Sequence, residues 1–389
     1  MTTIDLVYFN AGGGHRAAAL ALQEVIREQR RPWTVRLVNL TEVIDPAGRF
    51  RRVTGMDPED LYNKRLARGW TLGLAQELKL LQGMIRLAHA SLMRTLQQHW
   101  LCSEPDLVVS LIPNFNRALY ESLASTLPGV PFVTVLTDMA DHPPHFWIEP
   151  GQQQHLVCGS ERALQQAREA GFGDTQLSLT SGMILRPAFY RGAPVDREAG
   201  LGALGLDPSR PTGLVLFGGQ GSMQILKIAR LLGEQQLILM CGHNEVLAQR
   251  LRKLRRGAPH AVVGFTPEVG RHMALANYFI GKPGPGSLSE AVHMGLPVIT
   301  FSNAWTMPQE RFNTRWVVDQ GVGRVVRSVA ALPAAVDAVL AELPELRRRV
   351  RAIDNRAVFE VPEILSSLLV HAAVPQRLPS LPQPSGALS

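Results

Sequence analysis

Short apolar runs alternate with longer stretches of helical spacing along most of the chain. In the first half the runs fall at residues 5–9, 34–38, 106–112, 131–137, 155–158 and 176–180. In the second half they fall at 213–217, 236–241, 261–265, 278–281, 297–301 and 323–326. Each is too short to be told from a buried helix segment by period alone. Alternation with helix-forming stretches such as Ala17–Ile26 decides for strands. Strands that alternate with helices predict an α/β fold with parallel sheets. Twelve are too many for one small sheet. The Gly/Pro-rich, charged stretch 186–213 separates the two sets. The expected division is an N-terminal domain over 1–183, a linker over 184–212, a C-terminal domain over 213–345, a C-terminal helix over 346–373, and a Pro/Ser-rich disordered tail over 374–389.

Glycines sit where apolar runs end. The first cluster, Gly12, Gly13 and Gly14, lies between the run 5–9 and an Ala-rich helix, with His15 next to it. Glycine lets the backbone turn sharply and lets a ligand approach the amides. The helix start then offers free N–H groups and a positive dipole end. A phosphate, a carboxylate or a developing oxyanion suits that place; the plain alternative is an ordinary strand-to-helix turn. Gly12-x-Gly14-x-x-Ala17 also meets the loose dinucleotide fingerprint. The second strand ends at Asn39, however, with no acidic residue placed for a ribose, which argues against NAD.

The second cluster is Lys282-Pro-Gly284-Pro-Gly286 before Ser287-Leu-Ser-Glu290. Ser287 is expected as the N-cap, with Glu290 three residues on. Amides after Gly284 would cradle a diphosphate. Glu290 would accept from a diol such as ribose, or serve as a capping-box carboxylate. A third loop, "LFGGQGS" over 216–222, brings Gly218 and Gly219 to another strand end. None of these is a Walker A loop, since Gly281-Lys282 is followed by Pro283, and there is no Gly-x-Ser-x-Gly elbow. Each half thus has its own Gly-rich strand end. Two Rossmann-like domains facing a cleft, the GT-B arrangement, would let one hold a nucleotide and the other an acceptor.

Composition narrows the class. The 389 residues are 46% hydrophobic and 19% charged, a globular rather than a disordered profile. Cys102, Cys158 and Cys241 lack metal-type spacing and an even disulfide count, which fits a reduced, cytoplasmic setting. No signal peptide and no run of 18 apolar residues is read. The net charge of +7 favours an anionic partner without naming one. Aromatics are only 6% and do not interleave with basic residues, so no nucleic-acid partner is expected.

Residues 61–100 hold six Lys/Arg and one acid. Leu74, Leu78, Leu81, Ile85, Leu92 and Leu96 would share one helical face, widened by Leu80, Met84 and Leu87. That pattern fits a membrane-surface element with a basic border. It also fits a core helix.

The ordered set of motifs resembles a known family. "NAGGGHRAAA", "FVTVLTDMADHPPHFW" (132–147), "LFGGQGS", "MCGHN", "VVGFTPEVGRHM", "GKPGPGSLSEAVHMGLPVI" and "PQERFN" (308–313) run in order over roughly residues 4–330. Together they are similar to the GT-B glycosyltransferases of family 28. That family includes the bacterial and plastid diacylglycerol glycosyltransferases and the lipid II-forming N-acetylglucosaminyl transferase. The resemblance implies a UDP-sugar donor and no cofactor. It implies backbone contact of uracil at Phe265, diphosphate at Gly286 and Ser287, and ribose at Glu290. Gln309 and Glu310 would face the sugar, Arg186 the leaving phosphate, and His15 the acceptor hydroxyl. "Met307-Pro308-Gln309" and "FGGQGS" depart from the family pattern, so the donor sugar is not assigned.

The expected reaction moves a hexose from a UDP-sugar to a lipid hydroxyl, with diacylglycerol as the implied acceptor. His15 at a helix start would stay neutral, the form a base needs. Asp138 would orient a histidine or be the base itself; a strand-end cap is its plain reading. His142 lies near in sequence, in a loop stiffened by Pro143 and Pro144. Asp138-Met-Ala-Asp141 has the wrong spacing for an Asp-x-Asp metal motif, so no metal is expected, and the resemblance implies inversion. A lipid acceptor gives residues 61–100 a role on an anionic membrane, and a peripheral place on the inner face of the plasma membrane. The alternatives are a UDP-sugar epimerase of the same shape and a non-catalytic protein that binds nucleotides or nucleic acid.

Overall fold

The computed structural model describes residues 2–10, 14–46, 48, 52, 74–192, 195–304 and 306–373. Twelve strands form two six-stranded sheets, and every recorded pairing is parallel. The first sheet has β1 (Thr2–Tyr8), β2 (Trp33–Asn39), β3 (Leu107–Ser110), β4 (Phe132–Val135), β5 (His155–Cys158) and β6 (Leu177–Leu179), in the order β2-β1-β3-β4-β5-β6. The second has β7 (Thr212–Leu216), β8 (Gln236–Gly242), β9 (His260–Gly264), β10 (Tyr278–Gly281), β11 (Val298–Phe301) and β12 (Gly323–Val326), in the order β12-β11-β10-β7-β8-β9. All twelve fall on the apolar runs that predicted them. β3 and β4 are buried at every residue, as expected of strands covered by helices on both faces.

Strand order reverses direction between β1 and β3 in one sheet and between β7 and β10 in the other. Ligands of open α/β sheets bind in the crevice at the carboxyl ends of strands flanking such a point. Both pairs carry Gly-rich or Asn-rich loops at that end. The loops after β7 and β10 approach closely: a Cβ built on Gly218 lies 3.9 Å from Lys282 Cε, and one on Gly284 lies 3.3 Å from it.

The chain joins the two sheets twice. The segment expected as linker contains the helix Arg197–Ala203, which packs on the second sheet: Leu201 is fully buried in that core. Where one helix over 346–373 was expected there are two, Leu343–Arg351 and Ala357–Ala373. Val358, Val361 and Leu365 of the last helix are buried against Ile4, Leu6 and Leu22 of the first domain. Asn355 Nδ2 donates to the Met183 carbonyl (2.9 Å), and the Arg356 amide to Ser181 Oγ (2.7 Å), which fixes the return crossing.

Residues 61–73 lie outside the described residues. The remainder of 61–100 is not one helix but two, Leu74–Leu87 and His89–Ser103, broken at Ala88. The break divides the apolar stripe between both readings. Leu92, Leu96 and Trp100 are buried with Leu119 and Leu123, and Leu78 and Ile85 pack on core clusters. Leu80, Leu81, Met84 and Leu87 are exposed on one side of the first helix, Leu87 by 90%. Among the described residues no helix is long and apolar enough to cross a membrane.

Candidate functional site

Gly12 and Gly13 lie outside the described residues. Gly14 opens the helix Gly14–Glu28 and has open space where a Cβ would stand. His15 is half-buried beside it, its Nδ1 3.0 Å from Thr137 Oγ1. Its pKa is pushed down to about 4, chiefly by burial, with the Leu111 carbonyl acting the other way. His15 is therefore neutral as expected, but burial is the main cause.

Asp138 follows Thr137 in the loop after β4 and is 8% exposed. Trp147 Nε1 donates to its Oδ2 at 2.9 Å. Burial pushes its carboxyl up to about 7; the Trp147 bond and Lys282 pull it down, while Glu310 and Asp141 push it up. Lys282 and Glu310 belong to the second domain, so the two lips meet electrostatically here. Asp138 is not a strand-end cap. Its neighbour Asp141 does that work, accepting from the amides of Trp147 (2.6 Å) and His145 (3.1 Å). His142 is largely exposed, and its pKa is lowered by partial desolvation of the ring and by Arg311 across the cleft.

On the second domain the helix Pro285–His293 begins one turn earlier than expected. Gly284 is its N-cap, with no side-chain cap, and proline at the first position needs no N–H partner. Ser287 is thus not the N-cap but lies in the first turn, beside the amide end of the helix. Glu290 makes no capping box. It pairs instead with Arg186, whose Nη2 lies 3.4 Å from Glu290 Oε1. Burial pushes the Glu290 carboxyl up to about 7, and Arg186 pulls it down. Arg186 also stands 5.1 Å over the Phe189 ring. A Cβ at Gly286 would meet open space, so a ligand has access to that turn.

Glu310 is 4% exposed and bonds Lys282 Nζ at 2.8 Å. Gln309 is half-buried, its amide 3.7 Å from Met307 Sδ. Local sequence gives Lys282 no role, since Gly281-Lys282 is followed by Pro283 and its partner Glu310 lies 28 residues on. In the loop after β7, Gly218 holds φ +76°, a backbone that favours glycine, and the Gly219 carbonyl accepts from the His243 amide at 2.9 Å. Phe265 is 62% exposed and stacks on His243 with ring centres 3.9 Å apart. The structure thus gathers Arg186, Lys282, Glu290 and Glu310 around the β7 and β10 strand ends. His15 and Asp138 gather opposite them, on the first domain.

Residues 214–366 match the glycosyltransferase family 28 C-terminal domain. A probable chloroplastic monogalactosyldiacylglycerol synthase 2 of Oryza sativa subsp. japonica is 32% identical over 233 residues, covering 56% of this chain and 48% of that protein. The chain spans about half the length of that relative. Among solved structures, CalG4, the calicheamicin glycosyltransferase, aligns with a TM-score of 0.62 at 15% identity, over 96% of this chain and 100% of its own. Anabaena HepE in complex with UDP aligns with a TM-score of 0.53 at 15% identity, over 94% of this chain and all of its own. The C-terminal half thus resembles the family 28 glycosyltransferases, and the two parallel sheets have the architecture of these solved GT-B structures.

Proposed function

We propose that this protein transfers a hexose from a UDP-sugar to the hydroxyl of a diacylglycerol-like lipid, with inversion and without a metal ion. The observation that carries the reading is the opposition of two unlike lips. One presents a carboxylate poised near neutral pH, and the other presents an open helix start flanked by two cations.

The donor's diphosphate would lie at the amides of Gly286 and Ser287, between Arg186 and Lys282. The ribose would take Glu290, the uracil the Phe265 edge, and the sugar hydroxyls Gln309 and Glu310. A base works best with a pKa near the operating pH. Asp138, raised to about 7, meets that demand; His15, lowered to about 4, does not. Asp138 therefore takes the acceptor proton, and neutral His15 orients that hydroxyl. The freed oxygen attacks the anomeric carbon from the face opposite UDP. The bond to the β-phosphate oxygen breaks, and its electron pair leaves with UDP. Preorganised amides and the two guanidinium and ammonium groups meet the developing charge.

The exposed ridge Leu80, Leu81, Met84 and Leu87 would settle on an anionic bilayer, from which the lipid acceptor is drawn. The ridge would make the protein a peripheral enzyme on the cytoplasmic face of a membrane. The monogalactosyldiacylglycerol synthase relative supports this acceptor, and the UDP complex of HepE supports the donor nucleotide.

The test is to supply anionic vesicles containing diacylglycerol with UDP-glucose, UDP-galactose or UDP-N-acetylglucosamine in turn. UDP release that needs lipid, together with a glycolipid product, is the expected result. UDP release without lipid points to epimerase or hydrolytic chemistry, and no release with any donor removes the substrate reading.

A further inference from the structure

We propose that Trp147 is a positioning residue for proton transfer at the first-domain lip, its indole N–H holding the Asp138 carboxylate in place and its ring forming the wall behind His15. The inference rests on the reading of Asp138 as the base.

Trp147 lies in the loop between β4 and β5 and is fully buried. Its backbone is tied at both ends. Its amide donates to Asp141 Oδ1 at 2.6 Å, and its carbonyl accepts from Asn116 Nδ2 at 3.0 Å. Asn116 is held in turn, its Oδ1 accepting from Ser110 Oγ at 2.6 Å. The indole therefore has a fixed origin on the end of β3. From there Nε1 reaches Asp138 Oδ2 at 2.9 Å, the one hydrogen bond on that carboxylate among the described residues. The same ring stands 5.9 Å from the His15 ring, tilted by 52°. Phe146 packs on it edge-on, at 6.2 Å and 88°.

The chemistry of the donor is the point. An indole N–H is neutral and does not give up its proton, so it orients a carboxylate without competing in the transfer. It occupies Oδ2 and leaves Oδ1 for a substrate hydroxyl. An arginine in that place would stabilise the ionised form strongly and draw the pKa far below working pH. A neutral donor holds the rotamer and keeps the base matched to its task. The other groups that face Asp138 are Lys282 and Glu310 from the second domain and Asp141 in its own loop. His15 stands beyond the indole.

The variant Trp147→Phe keeps an aromatic ring and removes the N–H. Losing a hydrogen bond to a charged acceptor is expected to lower kcat by about 10- to 100-fold, with the KM for the UDP-sugar unchanged. The bond favours the ionised form, so its loss moves the acid limb of the pH–rate profile upward, by about one pH unit or more. Difference infrared spectra against Asp138→Asn follow the Asp138 carboxyl without turnover, and their midpoint is expected to move upward in the same way. That readout decides the inference even where no donor supports transfer, so its failure is distinct from failure of the transferase reading. A loss of activity equal at every pH, with an unmoved infrared midpoint, overturns it. If Trp147→Phe does not fold by circular dichroism, the wild-type protein labelled with 15N at the indole gives the same answer. One of its six indole signals is expected to titrate near neutral pH and to stop in Asp138→Asn. Six signals indifferent to Asp138 overturn the proposal.

Discussion

The two Gly-rich strand ends are alike in outline and opposite in electrostatics. Each follows a buried parallel strand, and each opens a helix. At the first, the ionisable groups have neutral partners: His15 has Thr137, and Asp138 has Trp147. At the second, each carboxylate has a cation: Glu290 has Arg186, and Glu310 has Lys282. Asp138 and Glu290 are both pushed up to about 7 by burial, yet only Glu290 has a guanidinium bonded to it. On the proposed function, a lip without a bonded counter-charge would leave a proton free to move, and a lip with bonded cations would receive the negative charge of the donor.

That contrast breaks most visibly at Asp138. Asp138→Asn is expected to lower kcat by about 10²- to 10⁴-fold, the usual worth of a general base, while calorimetry finds UDP affinity unchanged. Lost UDP binding would mean that the two lips are not divided as described. Arg186→Ala is expected to do the reverse, weakening UDP binding by about 10- to 100-fold, as for a charge-assisted bond. Within the first domain, Leu87→Ser on the exposed ridge is expected to weaken vesicle binding by about tenfold, the worth of burying one leucine side chain. Turnover of a short-chain soluble acceptor would be untouched, and sedimentation with vesicles measures the difference.

Acidity sharpens the comparison further. If Asp138 must be ionised, kcat falls below an acid limb near 7; a limb near 4 would assign the role to His15 instead. Stability moves the other way. Asp138 and Glu290 stand above their ordinary values of 3.8 and 4.5, so the folded chain binds more protons than the unfolded one. The stability they lend is full below those values and is lost as pH rises to about 7. Thermal melts across that range are expected to show it, and Asp138→Asn to flatten the slope.

Much of the scaffold was legible in the sequence, because local signals carry it. The twelve runs are short, mostly apolar and end at glycines, prolines or polar residues, and each became a strand. His15, Asp138, Arg186, Glu290 and Glu310 are also legible in the sequence, whereas Lys282 is not. What escaped was pairing across distance. Nothing local marks that Arg186 meets Glu290, 104 residues on, or that Lys282 meets Glu310. Trp147 is visible only as an aromatic at the end of "HPPHFW", since the carboxylate it donates to lies nine residues back in a loop of no regular period. Ser287 was read as a cap because serine commonly is one; Pro285 took precedence by starting the helix before it. The stripe over 74–96 misled because leucines at helical spacing continue through Ala88, and periodicity does not register a break that preserves it.

The last helix, Ala357–Ala373, sets an order of assembly. It completes the hydrophobic core of the first domain with residues made after the whole of the second. A nascent chain halted before Val358 therefore exposes the apolar surface of Ile4, Leu6 and Leu22 that this helix will cover. The second sheet, closed by residues 189–353, needs no such wait. The domain synthesised first is thus the domain finished last, and it is the one that carries the exposed leucine ridge and Asp138. A C-terminal truncation would strike it in full while leaving the fold of the second domain whole.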